Sequence, residues 1–413
     1  MIQWKKEDLW RESIQEQNRE VCKIGNLRPD TSYFILSFST GLAEGAYGSY
    51  FVIYFLSLGL SLGTVGILQL IFFLTLALLD FPTGGFADVR GRRLCLTLGF
   101  SGISSGYLAL STGIIPLLFI GSFLCAMGTS MISGTLEAWL VDEIGDVRNE
   151  EVRKEVGRIF SVGNSLFTLG SLLSGPVGWI LAMREMKLIF LFASAVSAGQ
   201  AFLSSLLEEN YGSRRDSYFR IMKDSLRFIS SSLTLKLYFI AYSLSQIWFA
   251  HFILTWQPTL VEFGLRKEML GLIYSILMSI MGLSSYLAGR IMKKISPGSL
   301  VISMSLLVSA SLLLVPLGRS LQFSLLSFFL LEVGIGVSSP SGAAWRNELI
   351  PHEMRASLIS ALSTAASVTA GLYYWIGGSL TEVIGIPNSF LFAFFSAFLS
   401  SVVFVRAYVT QRN

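Results

Sequence analysis

Twelve long apolar runs constrain the fold of this 413-residue chain more than any other feature of its sequence. Each run is about 20 residues long, the length that an α-helix needs to cross a bilayer. Inside lipid the backbone must satisfy its own hydrogen bonds, so runs of this length and composition fold as helices. We therefore predict an all-α membrane protein with twelve transmembrane helices. The predicted spans are 32–58, 64–87, 94–112, 114–141, 158–182, 187–207, 236–260, 268–290, 299–317, 321–345, 356–379 and 388–408.

Composition supports a membrane location and excludes an ordinary soluble domain. Hydrophobic residues make up 52% of the chain and charged residues 14%, whereas soluble domains carry about 25% charged residues. Cys22, Cys95 and Cys125 lack the spacing of a metal site, so we expect free thiols, no metal and no cofactor. Residues 1–31 are polar and form a predicted cytoplasmic segment, either a helix on the membrane surface or a solvated tail.

The distribution of basic residues predicts the orientation. With the N-terminus inside, only five of the 31 lysines and arginines fall in external segments, and cytoplasmic segments are the ones that collect basic residues. We expect a multi-pass protein of the cytoplasmic (inner) membrane with both termini in the cytoplasm. The five external basic residues are Arg184, Lys187, Arg266, Lys267 and Arg319.

The chain divides into two related halves. The hydrophilic segment 208–235, which carries a predicted amphipathic helix, separates six spans in residues 32–207 from six in 236–413. Ala87–Arg93 aligns with Ala288–Lys294, and the pair Ala138–Trp139 recurs as Ala344–Trp345. Two pseudo-symmetric six-helix bundles predict a binding site between them, near the centre of the bilayer.

The stretch between the second and third runs carries a recognisable motif. We expect a short loop within Asp80–Arg93 to join the two spans. Gly84, Asp88, Gly91, Arg92 and Arg93 occur here in the order Gly-x-x-x-Asp-x-x-Gly-Arg-Arg. This spacing resembles the signature loop between helices 2 and 3 of the major facilitator superfamily. The lead-in Asp80–Gly84 is similar to a bacterial and archaeal subset of that family. The resemblance implies secondary transporters of twelve helices that alternate access, with a gating role for this loop.

The fifth run both resembles and departs from the drug-exporting branch of that family. Gly163, Gly170 and the stretch Gly175–Gly178 are similar to the branch's glycine-proline motif, although the final glycine pair is incomplete. That branch also carries an arginine in helix 4, where this chain has Leu124. The departure weakens the expectation of proton-drug exchange centred on such an arginine.

Ionisable residues inside predicted spans are the main candidates for the site, because they are costly in lipid and mark function. Glu44 lies in the middle of the first span, where it either binds substrate and protons or makes a structural hydrogen bond. Glu332 is central in the tenth span. His251 is central in the seventh and shares a helix face with Trp248. We expect Glu44 to act as a protonation switch, with Glu332 as the reserve candidate.

Further candidates are polar or lie at helix ends. Asp142 and Glu143 are expected to pair with Arg153 or Arg158 when the inner gate is shut, which adds Asp142 and Arg158 to the predicted gate. Polar residues that could line the cavity or bind protons are Gln69, Glu137, Asn164, Gln246 and Gln257.

No catalytic motif fits this fold class, so we predict that the chain is not an enzyme. The hydrolase-like spacing Gly102-Ile-Ser104-Ser-Gly106 lies inside an apolar helix, where it is better interpreted as a packing face of small residues. We predict a monomer that exports a small lipophilic or cationic compound in exchange for protons and binds no nucleic acid. Proton-coupled nutrient uptake is the alternative, and a non-transporting sensor or assembly factor is the alternative from another class.

Overall fold

The computed structural model describes residues 28–145, 149–212, 227–351 and 355–412, which contain helices and no strand. The predicted N-terminal surface helix, Cys22 and most of the predicted linker helix lie outside these residues. The helices form twelve spans, numbered here in chain order: Pro29–Gly48 with Phe51–Ser57, Leu62–Arg90, Arg92–Ser111, Ile115–Ile132 with Thr135–Ile144, Glu150–Ala182, Lys187–Ser205, Leu233–Glu262, Lys267–Met269 with Leu270–Ile291, Pro297–Leu312 with Leu314–Gly318, Leu321–Leu349, Arg355–Ile384 and Ile386–Arg412.

The predicted all-α membrane fold of twelve spans is confirmed. Among the described residues, ten helices are long and apolar enough to cross a membrane. The other two spans are span 1, which is interrupted at Ser49 and Tyr50, and span 11. The break in span 1 was not predicted, because the flanking residues are mostly apolar and no proline marks it.

The loop predicted between the spans ending at 87 and beginning at 94 is shorter than expected. Span 2 remains helical to Arg90 even though it contains Pro82, and only Gly91 separates it from span 3. Gly91 adopts φ 109°, a backbone conformation that side chains rarely tolerate. A single glycine therefore makes the whole turn between the two helices.

Each half of the chain packs around its own set of helices. In the first half span 1 packs against span 5, and span 3 packs against spans 4 and 6. The small-residue face of span 3 is confirmed. Cβ atoms on Gly102 and Gly106 would meet span 4, and the Ser104 hydroxyl donates to the Ser194 carbonyl of span 6 (2.9 Å). In the second half span 7 packs against spans 11 and 12, and span 10 against spans 8 and 9.

The two halves meet along spans 2 and 11 and along spans 5 and 8. We call the end of the bundle that holds Arg28 and Arg412 the terminal side, and the other end the opposite side. At the opposite side the Gly63 amide donates to Glu382 (2.8 Å), and Gly175 and Gly271 touch so closely that a Cβ on either would overlap the other's carbonyl oxygen. Only glycine permits this approach between spans 5 and 8.

The break in span 1 completes the contact between the halves at the opposite side. The Tyr50 hydroxyl donates to the Glu268 carbonyl (2.6 Å) and accepts from the Gly271 amide (3.0 Å). The Gln257 side chain donates to the Gly48 carbonyl (2.8 Å) and accepts from the Ile53 amide (3.0 Å). Gln257, predicted as a cavity wall residue, is fully buried. It satisfies the backbone groups that the helix break leaves free. We call Tyr50, Gln257 and their partners the opposite-side seal.

Candidate functional site

Glu44 lies halfway along span 1, and its side chain is exposed rather than packed against neighbouring helices. Its neighbours explain that orientation. Gly41 and Gly45 face span 5 so closely that Cβ atoms there would overlap the Phe167 carbonyl and the Ser174 side chain. Because these glycines fix which face of span 1 packs against span 5, Glu44 points into open space.

Two adjoining cavities meet at Glu44, and together we call them the first-half cavity. One, of about 320 Å³, lies between spans 1, 2, 3 and 4, and the other, of about 250 Å³, lies between spans 1, 3, 4 and 6. Both are lined by Glu44, Ile103, Tyr107 and Thr129. Glu44 is the only carboxyl group among the described lining residues, so it sets the charge that the cavity offers to a ligand.

Polar side chains surround the carboxyl group on both sides. Gln69 lies beside the Tyr47 hydroxyl, and Tyr107 lies within electrostatic reach of Glu44. Gln200 donates from Nε2 to the Thr40 hydroxyl (2.7 Å) and lines the smaller cavity. Aromatic rings and neutral donors around one carboxylate form the usual lining of a site for a small organic molecule.

Glu332 occupies a different environment. It is 3% exposed on span 10, and its Oε2 atom has no hydrogen-bond partner in the described part of the chain. Tyr274 of span 8 lies within electrostatic reach of both Glu332 and Glu44. Tyr274 is therefore electrostatically coupled to both predicted acids, although Glu332 itself is buried.

His251 is a satisfied core residue in this structure. Its Nδ1 atom lies 3.0 Å from the Tyr373 hydroxyl and its Nε2 atom 3.2 Å from the Ser389 hydroxyl. The ring also packs edge-on against Phe390. Trp248, predicted on the same face, instead lines a second-half cavity together with Gln246. The structure therefore separates Trp248 and Gln246 from His251.

The signature residues form an ion-pair cluster at the terminal side. Arg92 is 6% exposed and pairs with Asp88 (3.6 Å) and Asp142, while its Nη1 donates to the Ala138 carbonyl (2.6 Å). Arg93 pairs with Glu209 (3.4 Å), just beyond span 6. These contacts join spans 2, 3 and 4 to the segment that follows span 6, all within the first half.

The predicted pairing of Asp142 and Glu143 with Arg153 or Arg158 is not the one described in this conformation. Asp142 pairs with Arg92, and Glu143 accepts a hydrogen bond from Asn210 Nδ2 (2.9 Å). Arg158 pairs instead with Glu155 (3.7 Å) on its own helix. The pairing predicted for a shut gate stays a prediction.

Three other candidates stand apart from Glu44. Glu137 and Asn164 are exposed on spans 4 and 5, and a Cβ on Gly84 would meet nothing within 4 Å. Gly84, predicted for the gate, therefore has open space beside it at the terminal side.

Sequence reasoning missed Tyr47, Tyr107, Gln200 and Tyr274. Tyr47 lies three residues after Glu44, so helical periodicity could have placed both on one face. The other three belong to spans 3, 6 and 8, and their approach to Glu44 depends on how the helices pack. No spacing within one helix signals such a contact.

Comparisons with known proteins agree with this architecture. The family model described as Major Facilitator Superfamily matches residues 33–340 and 237–413. No curated protein matches this sequence significantly.

Solved transporter structures share the fold at low sequence identity. A mutant of the nucleoside transporter NupG superposes with a TM-score of 0.79 at 12% identity, covering 92% of this chain and 100% of the other. A POT family transporter in complex with a thioalcohol-conjugated peptide gives 0.74 at 15%, covering 94% and 97%. The human organic anion transporter MFSD10 (TETRAN) gives 0.66 at 16%, covering 92% and 100%. With its helix order, its two halves and this family match, the chain belongs to the Major Facilitator Superfamily.

Proposed function

We propose that this protein is a proton-coupled secondary transporter that exports a small organic cation, with Glu44 as the group that holds either the cation or a proton. The observation that carries the proposal is the exposed Glu44 carboxyl group in the first-half cavity, halfway along span 1. An ionisable residue at that depth marks a substrate or ion pathway.

The distribution of contacts between the halves supports alternating access. The opposite-side seal and the Gly175–Gly271 contact close one end of the bundle. Glu44 nevertheless stays accessible in the first-half cavity. We infer that the cavity opens toward the terminal side in this conformation. Rocking of the halves would close that side and break the seal, as in other transporters with repeated halves.

The chemistry of exchange follows from having one carboxyl group in the cavity. A carboxylate attracts a cation, whereas a protonated carboxyl group does not, so proton and substrate compete. The other titratable groups that line the same cavity are Tyr47, Tyr107 and Cys125, which are neutral at physiological pH. Cation binding should therefore strengthen as pH rises and Glu44 loses its proton.

Glu332 is the second candidate for coupling. Its buried oxygen, which has no hydrogen-bond partner among the described residues, suits a group that carries a proton when water is excluded from the site. Tyr274 belongs to span 8, which contributes to the opposite-side seal. Protonation of Glu332 could therefore respond to opening of the opposite side. This proposal assigns Glu332 a reserve role behind Glu44.

The remaining parts of the proposal concern the cellular setting. The terminal side lies at the cytoplasmic face of the inner membrane, because that side carries most of the basic residues. The transporter acts as a monomer, since each chain supplies both of the halves that would rock against each other.

Transport in proteoliposomes tests the role of Glu44. Ethidium serves as the lipophilic cation, a pH gradient as the driving force and pyranine as the proton reporter. Wild-type protein should move ethidium against the proton flow, and Glu44→Gln should abolish gradient-driven flux and flatten the pH dependence of ethidium binding. Glu185→Gln is the matched control, because Glu185 is exposed between spans 5 and 6 and pairs only with Lys187 (2.9 Å) among the described residues.

Two outcomes would count against the proposal. Wild-type flux retained in Glu44→Gln would make Glu44 a packing residue and move coupling to Glu332. Flux of no solute in either direction, with an intact fold, would support a sensor or assembly factor.

Nutrient uptake is the second candidate, and the structural neighbours favour it. Two of them are a nucleoside transporter and a POT family transporter with a bound peptide conjugate. The same vesicles distinguish the directions, because inward proton flow would then accompany inward movement of a labelled nucleoside or dipeptide.

A further inference from the structure

The second half contains a cavity that the proposed exchange at Glu44 does not use. It has a volume of about 410 Å³ and lies between spans 7, 9, 10 and 12. Its size falls within the range of pockets that hold small organic ligands. We call it the second-half cavity.

Arg346 is the only charged residue among the described residues that line this cavity. It lies near the terminal-side end of span 10, partly buried, and its buried Nε atom has no hydrogen-bond partner among the described residues. Arg346 is also within electrostatic reach of the Tyr238 hydroxyl. No described acid forms an ion pair with it. A partly buried guanidinium group without a described ion-pair partner offers hydrogen-bond donors suited to a carboxylate or sulfonate.

Aromatic side chains form the walls next to Arg346. The rings of Tyr238 and Tyr242 are nearly parallel, at 9° and 6.5 Å between centroids. Trp248 and Phe249 continue this wall along span 7. Gln246 and Ser339 add neutral polar groups, and the Ser339 side chain is exposed. Aromatic walls of this kind suit a ligand whose planar apolar ring carries the anionic group that Arg346 would bind.

The second-half cavity corresponds to the smaller part of the first-half cavity. That part lies between spans 1, 3, 4 and 6, and spans 7, 9, 10 and 12 are their counterparts in the second half. The charge is opposite, however, because Glu44 supplies a carboxyl group in one half and Arg346 a guanidinium group in the other. The chain therefore carries two cavities of opposite electrostatic preference.

We propose that the second-half cavity binds small aromatic organic anions, anchored by Arg346 and packed against Tyr242 and Trp248. This site is separate from Glu44, so it holds a class of ligand that the proposed cation exchange does not. A ligand carboxylate would supply the partner that Arg346 Nε lacks among the residues that the structure describes.

Thermal shift with three indoles tests the proposal on the full-length purified protein, because ligands that bind the folded state raise its apparent stability. Indole-3-acetate, indole-3-acetamide and tryptamine share one ring and differ in charge. At millimolar concentrations the acetate should raise the melting temperature more than the amide. Tryptamine should give a shift that depends on Glu44 instead.

Variants then locate the site. Arg346→Gln should weaken indole-3-acetate binding about tenfold to a hundredfold, because a charge-assisted hydrogen bond is lost. Arg346→Lys should restore part of the affinity. Ser339→Phe, at an exposed position, should fill the cavity and remove acetate binding whatever the charge. Arg290→Gln is the matched control, since Arg290 is exposed on span 8 and lies over the Tyr286 ring.

The outcomes separate this proposal from the exchange at Glu44. Glu44→Gln should leave acetate binding unchanged, so either proposal can fail alone. Equal shifts by all three indoles, no shift by the acetate, or acetate binding that survives both Arg346→Gln and Ser339→Phe would each overturn the anion site. If Arg346→Gln does not fold, the wild-type charge preference and Ser339→Phe still decide the matter.

Discussion

At the residue scale, Tyr50 links the two halves through a single hydroxyl group. It donates to the Glu268 carbonyl and accepts from the Gly271 amide, and the side chain is fully buried. Tyr50→Phe should leave both backbone groups without that partner, at a cost of about 1–3 kcal/mol to the closed seal. We expect a larger population of molecules open at the opposite side.

Spin labels measure that shift directly. Ser61 and Lys267 are exposed at the opposite side, one in each half, and cysteines there can carry the labels. Electron-electron double resonance should show a longer distance component in Tyr50→Phe. Tyr211→Phe is the control, because Tyr211 is 61% exposed at the other end of the molecule. An unchanged distance distribution would mean that the seal does not depend on this hydroxyl group.

At the element scale, the cluster around Arg92 holds the terminal-side ends of spans 2, 3 and 4 in one arrangement. These ends must meet the second half when the terminal side closes. Asp88→Asn removes the charge that Asp88 shares with Arg92, so we expect slower transport with substrate affinity within a few-fold of wild type.

Transport rate and binding have to be measured separately to check this effect. Ethidium flux in vesicles gives the rate, and fluorescence anisotropy in detergent gives the affinity. Glu150→Gln is a suitable control because it disrupts an exposed pair with Lys154 (2.8 Å) on span 5. Complete loss of binding by folded Asp88→Asn would contradict a gating role.

At the scale of the whole molecule, the orientation in the membrane is open to a direct test. Cysteines in place of Ser61, Ile114 and Glu185 should react with an impermeant maleimide added outside cells. Cysteines at Arg90 and Lys293 should react only after permeabilisation. All five positions are exposed. Ile114 is preferable to Gly113, whose φ of 69° would strain a side chain.

The labelling background must lack reactive native thiols. Cys95 and Cys125 are buried, so Cys22→Ser is the one replacement to make first. Reaction at Arg90 and Lys293 in intact cells would place the terminal side outside and overturn the predicted orientation.

Much of the architecture could be predicted from the sequence because lipid leaves few choices. Hydropathy located all twelve spans, and the positions of Gly84 to Arg93 led to the family. What could not be predicted depends on contacts across helices. The break at Ser49 and Tyr50 is stabilised by Gln257, 204 residues away from its partner Ile53. The extension of span 2 to Arg90 could not be predicted either, since the glycines and the proline in this stretch suggested a loop.

Only part of the candidate site could be predicted from the sequence, for the same reason. Glu44 could be found because an acid in an apolar run is conspicuous, and its partner Tyr47 follows from helical spacing. His251 looked equally conspicuous, yet Tyr373 and Ser389 satisfy both of its nitrogens. Only the packing of spans 7, 11 and 12 distinguishes a buried core histidine from one that lines a cavity.

The presence of one carboxyl group in the first-half cavity has a consequence for the energetics of the cell. If a monovalent cation leaves as one proton enters on Glu44, no net charge crosses the membrane. The membrane potential, worth about 2.3 kcal/mol per elementary charge at 100 mV, would then contribute nothing to accumulation. The exporter would work only while the pH difference lasts, so alkaline surroundings would stop it even in a fully energised cell.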